Sequence, residues 1–175
     1  MIDHTLVLLA LRNRLLTLPD LPSESSYPSW TAAMLPYMPG FAQLPALVRS
    51  YANFAFENVR FVPTTGVEYI EEQYVPGPSS LLGLRAGGVV ETTGLYIVNW
   101  YSVANQGVTQ PSVNADAVLA LFPPGAAVAT MTDGNVVRVR GDVAPSRGQL
   151  RQAKQAGFAI IPITIPWRVQ TYNAA

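Results

Sequence analysis

Side chains able to do acid–base, nucleophilic or metal chemistry are scarce in this chain. It has no cysteine, and His4 is its only histidine. Thiolate chemistry, disulfides, histidine-based triads and His-rich metal sites are therefore excluded. Glu71 and Glu72 are adjacent carboxylates. Neighbours on a strand point to opposite faces, so the two do not serve as acid and base on one substrate. The glycines around Arg85 lack the GxxxxGK(S/T) spacing and no GxGxxG occurs, so no phosphate-binding loop is indicated. GxSxG and SxxK are absent as well. Arg147, Arg151 and Lys154 are spaced i, i+4, i+7, which aligns them on one face if this stretch is helical. That face is either solvated or set against a polyanion or an acidic partner. No constellation of residues asks for an enzyme, a cofactor or a metal.

Charge is sparse and balanced: 11 basic and 11 acidic residues make up 13% of the chain, where about 25% is usual. Zero net charge argues against nucleic-acid binding as the main task. So few charges leave much of the surface to neutral polar and apolar groups, which fits either partial burial against other subunits or a sparsely charged monomer. The 175 residues suit a single domain with enough core to need no staple. Lack of cysteine and of any Asn-x-Ser/Thr sequon fits a reducing, intracellular origin. The apolar run Leu6 to Leu11 is too short to span a bilayer, and Asp3 and His4 before it do not make a signal peptide.

The elements that must hold these residues can be read in order. Ile2 to Leu16 predicts a helix, with Ile2, Leu6 and Leu9 in one stripe and Leu8, Leu11 and Leu15 beside it. His4 falls in its first turn, partly exposed and without chemistry. Residues 17–50 form an insertion with six prolines, from Pro19 to Pro45, and the aromatics Tyr27, Trp30, Tyr37 and Phe41. That spacing forbids a long helix, and the aromatics argue for an ordered segment lying on its own domain or on a neighbour. Phe54 to Phe61 and Val67 to Val75 predict two strands, the second stopped by Pro76, Gly77 and Pro78. Residues 77–93 predict a long loop or flexible hairpin, too rich in leucine and valine to idle in solvent.

Gly94 to Val103 has the composition of a central strand. A helix follows from Pro111, with Val113, Ala117, Val118 and Leu121 as its apolar face. Ala126 to Met131 and Asn135 to Arg140 predict a hairpin across Thr132-Asp133-Gly134. The last strand, Gly157 to Arg168, puts Ala159, Ile161, Ile163, Ile165 and Trp167 on one face. Its even positions hold Pro162, Thr164 and Pro166. With two donors missing on that side, the pattern predicts an edge strand, or one locally detached on its even side.

The order of these pieces resembles the tail terminator (tail completion) proteins of long-tailed bacteriophages, a family similar to the lambda tail terminator. The resemblance runs from about Phe54 to Gln170. It rests on Phe56-Glu57-Asn58-Val59, Gly94-Leu95-Tyr96, Ala144-Pro145-Ser146 and Ile163-Thr164-Ile165-Pro166-Trp167-Arg168. The proline-rich insertion departs from the family pattern. The resemblance implies an α+β fold, a mixed, largely antiparallel sheet with helices packed on it. It implies a homo-oligomer, a hexameric ring that caps the tail tube protein and ends tail elongation. The same ring would join the tail to the head-completion or neck protein. Genomic DNA would pass through the lumen without sequence-specific binding. It implies no enzymatic activity, no cofactor and no membrane, and a place in the virion tail or neck after assembly in the host cytoplasm.

The candidate assembly interface comprises Leu81, Leu82, Leu84, Arg85, Val89 and Val90 of the 77–93 arm. Trp30 and Tyr37 of the insertion, and the basic residues Arg147, Arg151 and Lys154, complete it. Two other readings compete: a head–tail connector or neck subunit, and a binding or enzyme subunit whose site a partner completes.

Overall fold

A computed structural model describes residues 2–17, 54–57, 59–82, 88–105, 107–131, 134–154 and 157–172. The expected contributions of Trp30, Tyr37, Leu84 and Arg85 lie outside the described residues. Two helices are described, α1 (His4–Leu15) and α2 (Thr109–Leu121). The strands are β1 (Phe54–Ala55), β2 (Tyr69–Leu82), β3 (Val89–Val103), β4 (Ala127–Thr130), β5 (Val136–Val139), β6 (Ser146–Arg147), β7 (Arg151–Gln152) and β8 (Phe158–Tyr172). They form one sheet in the order β1-β2-β3-β8-β5-β4, with β6 and β7 also on β8. Only β1 against β2 is parallel. The fold is α+β and dominated by its sheet.

β8 is the backbone of this sheet, which corrects its expected place at an edge. One side pairs with β3 along its whole length, from Val103 with Phe158 to Val89 with Tyr172. The other side carries β7, β6 and β5 in turn. The prolines explain both the expectation and its failure. In a strand the N–H and C=O of one residue point the same way. The carbonyls of Pro162 and Pro166 accept from Gly148 N at 2.7 Å and Arg140 N at 2.9 Å. The missing donors therefore face β5–β7 and leave the β3 ladder untouched. That side is partnered by three short pieces, and each proline still accepts.

The alternation along β8 holds from Ile161 to Trp167; Ala159, expected on the same face, is half-buried, and Ile160 and Pro166 of the opposite face are buried. Ile161, Ile163, Ile165 and Trp167 are buried on the face that both helices cover. Val98 and Trp100 of β3 and Val137 and Val139 of β5 lie beside them. Trp167 packs so closely over β3 that a Cβ at Gly94 would lie 2.6 Å from its Cε2 and from Val75 O. The helices contribute Val7, Leu11 and Leu15 from α1 and Ala115, Val118 and the following Phe122 from α2. The α1 stripe is thus rotated from the predicted one, and Ile2, Leu6 and Leu9 are half-buried. On α2, Val113 and Ala117 are exposed; Pro111, Ala115 and Val118 form the inner face instead.

Two strand limits also differ from expectation. β1 is only two residues long, because Val59 N donates back to Phe56 O at 3.1 Å and turns the chain. β2 runs through Pro76, Gly77 and Pro78 to Leu82. Its register on β3 shifts between Pro76 and Ser79. Past Glu71 its other edge has no strand partner among the described residues, so a proline there removes no ladder bond. Ser79–Leu82 pair with Val89–Thr92, which makes the 77–93 stretch a hairpin. The β4–β5 hairpin forms as predicted.

Candidate functional site

Glu72 is buried and fully engaged. It accepts from the Arg12 guanidinium, from Tyr96 Oη at 2.7 Å and from Glu57 N at 3.4 Å. Arg12 in turn lies 4.8 Å over the Phe56 ring. This network ties α1 to β2, β3 and the end of β1. Burial first, and the Glu72 carboxylate second, hold the Tyr96 hydroxyl well above its ordinary value, so it stays a proton-bound donor.

Glu71 points to the opposite face, as the strand alternation requires. It accepts from Tyr101 Oη at 2.9 Å and Asn99 Nδ2 at 3.2 Å. Burial, reinforced by the bond to Glu71, pushes the Tyr101 hydroxyl up to about 12. Both adjacent glutamates nevertheless line one cavity of about 550 Å³ at the β1–β2 margin, together with Glu57, Phe61, Tyr69 and Tyr101. The Tyr69 and Tyr101 rings are stacked, 4.2 Å between centroids. His4 is exposed; its Nδ1 shares a 2.8 Å hydrogen bond with Tyr74 Oη, and its ring meets Trp167 edge-on. No three His, Asp or Glu side chains among the described residues converge as a metal-binding group.

The sequence-predicted assembly residues separate into two places. Leu81 and Leu82, 57% and 46% exposed, stand on the distal half of the β2–β3 hairpin opposite Val90 and Val89. The base of this half is pinned by a 2.6 Å hydrogen bond between the Ser79 and Thr92 hydroxyls. Arg147, Arg151 and Lys154 lie at the other margin of the sheet. They do not share a helical face: Arg147 is on β6 and Arg151 on β7. The free carbonyls of β8 draw this stretch out as extended backbone, so the helical spacing is coincidental. Arg147 Nε pairs with Asp116 of α2 at 3.1 Å, while Arg151 and Lys154 are exposed and make no ion pair with a described residue. Sequence reasoning missed the Arg12–Glu72 link. Its only trace was a charge on each of two otherwise apolar faces, 60 residues apart.

Comparison with known proteins gives the family of this chain. No curated protein matches it. A solved structure known only by a sequence identifier aligns over 99% of this chain and all of its own, at 20% identity and a TM-score of 0.60. A second, from a "Virion of native gene transfer agent (GTA) particle", covers 83% of this chain and all of its own, at 20% identity and a TM-score of 0.42. A family model described as "Phage tail terminator protein" matches residues 40–167. This chain belongs to the phage tail terminator protein family.

Proposed function

We propose that this chain is a structural virion protein that assembles as a hexameric ring on the end of the tail tube. The ring stops tube growth, presents the tail to the head-completion protein and lets DNA pass through its lumen. The observation that carries this reading is the family match across residues 40–167, which take in α2, β1 to β7 and β8 as far as Trp167. Two features of the molecule support it. The carboxylates that could have served chemistry are tied up in hydrogen bonds to their own fold. The hairpin offers Leu81 and Leu82 at a place where no core receives them. We assign that hairpin to contact with the tube protein.

The test is complementation of tail assembly. Lysates lacking the protein should yield tails of uncontrolled length, and adding the purified chain should restore one length and a terminal ring in electron micrographs. Tails of normal length that fail to join heads would identify a head–tail connector instead.

A further inference from the structure

The outer edge of β2 is finished in two different ways. Near the body of the protein it is closed. The main-chain groups of Tyr74 turn away from β3, where Tyr74 N donates to Glu57 Oε2 at 3.2 Å. The next residue to face that way is Pro76, which has no N–H to offer. A carboxylate cap and a proline are devices that keep a strand edge from pairing. Beyond the register shift between Pro76 and Ser79 the edge changes character. Ser79–Leu82 holds neither a charge nor a proline, and all four residues are exposed. Tyr74 lies opposite Tyr96, so Tyr96 and, by alternation, Thr92 and Val90 direct their main-chain groups towards β8. Ser79 and Leu81, opposite Thr92 and Val90, therefore turn theirs outward, and no described strand receives them.

The far end of the sheet is β4, which is also four residues long and also lacks charge and proline. Met131 N donates across its hairpin to Asn135 O at 2.7 Å, so the main-chain groups of the preceding Thr130 face the open side. The two open edges stand at one level. A single row of paired residues crosses the sheet from Ser79 through Thr92, Val169 and Val137 to Ala129. The four pairings between β2 and β4 are all antiparallel, so these two strands run in the same direction. A second copy displaced sideways across the sheet brings its β4 beside Ser79–Leu82 without sliding along the strands.

We infer that the Ser79–Leu82 edge receives β4 of a neighbouring copy, so that the sheet of one subunit continues into the next. The new pairing is parallel, as that of β1 with β2 already is. It is made by main-chain groups, so it needs no charge on either side, and neither side has one. The side chains of Leu81 and Leu82 stand above and below the sheet and stay available to the tube protein. Contact between two unlike surfaces of one chain is heterologous, and such contacts close into rings. The inference rests on the ring reading above and adds the seam through which one subunit meets the next.

The experiment uses the full chain, which has no cysteine of its own. Ser80 and Thr130 follow Ser79 and Ala129 in the shared row and are both exposed. Adjacent strands lie about 4.8 Å apart, within reach of a disulfide. An equimolar mixture of S80C and T130C under a mild oxidant should give linked dimers on a non-reducing gel, and neither variant alone should. Light scattering after size exclusion reads the assembly itself. L81P removes an outward donor and leaves the β2–β3 ladder whole, so it should keep its melting temperature and associate at least about tenfold more weakly than wild type. L81T, which keeps the N–H, should assemble normally. A mixture that does not link, S80C that links to itself, L81P that assembles as well as wild type, or a monomeric wild type would each overturn the seam. The tail-length assay separates the two readings. If the mixture does not link while the wild type still sets tail length, only the seam falls. If it links as expected but tail length does not respond, only the capping role falls.

Discussion

At the scale of single residues, the buried Arg12–Glu72 pair ties elements of the fold together. Arg12 and Glu72 are buried side by side, and an ion pair so placed is costly to break on one side only. Arg12→Ala leaves Glu72 unpaired and should cost about 3–5 kcal/mol in a urea titration. The double change R12M/E72L should cost less than the sum of the single changes, because both partners go together. Glu68 behaves differently. Burial, the larger influence, raises its carboxyl above the ordinary value in spite of the hydrogen bond from Trp100 Nε1. Its contribution to stability is full below the ordinary glutamate value and is lost as pH rises through the raised one. Glu68→Gln keeps an acceptor for Trp100 and removes the titration. Thermal melts should therefore favour the variant increasingly as pH climbs from about 4 to about 7; a shift in favour of the wild type would reverse the sign. Neither network was legible beforehand. Sequence gave the opposite faces of Glu71 and Glu72 through period-two geometry, but not which hydrogen bonds each would accept.

At the scale of elements, the pattern that matters most is the alternation in β8. Ile163 is fully buried and Thr164, its neighbour, is half-buried on the other face. Ile163→Ala should lose about 2–5 kcal/mol and Thr164→Ala under about 1 kcal/mol in parallel denaturant titrations. Equal losses would mean that the two faces are not distinguished. The buried face of this strand was legible because strict alternation has one physical meaning. Its neighbours were not, because a missing proline donor weakens a ladder without preventing its acceptor half. α2 was misjudged for another reason. Its sequence has alanine or valine on several sides, so periodicity alone cannot choose Ala115 over Ala117. The basic trio was misread because 3.6-residue spacing was weighed without the strand edge waiting beside it.

At the scale of the whole molecule, stability and assembly should be separable. Leu81 and Leu82 are exposed on the hairpin and contribute little to the core. L81S/L82S should keep stability within about 0.5 kcal/mol of the wild type and lose tail-capping activity in the complementation assay. Loss of both together would return the hairpin to a purely structural role. The family resemblance in the order of the pieces reached this level, where isolated residues could not, because topology is a property of the chain as a whole. The position of β8 also sets the history of the molecule. It follows every other described element in the chain, yet it lies between β3 and β5 and joins the β2–β3 hairpin to the β4–β5 hairpin. Its partners in β3 are distant in sequence, so loop closure must be completed before the long ladder forms. Folding should therefore be slow for a chain of this size. A nascent chain that has not yet released residues 158–172 holds an open apolar sheet face towards water, and that interval is when it is most prone to aggregate.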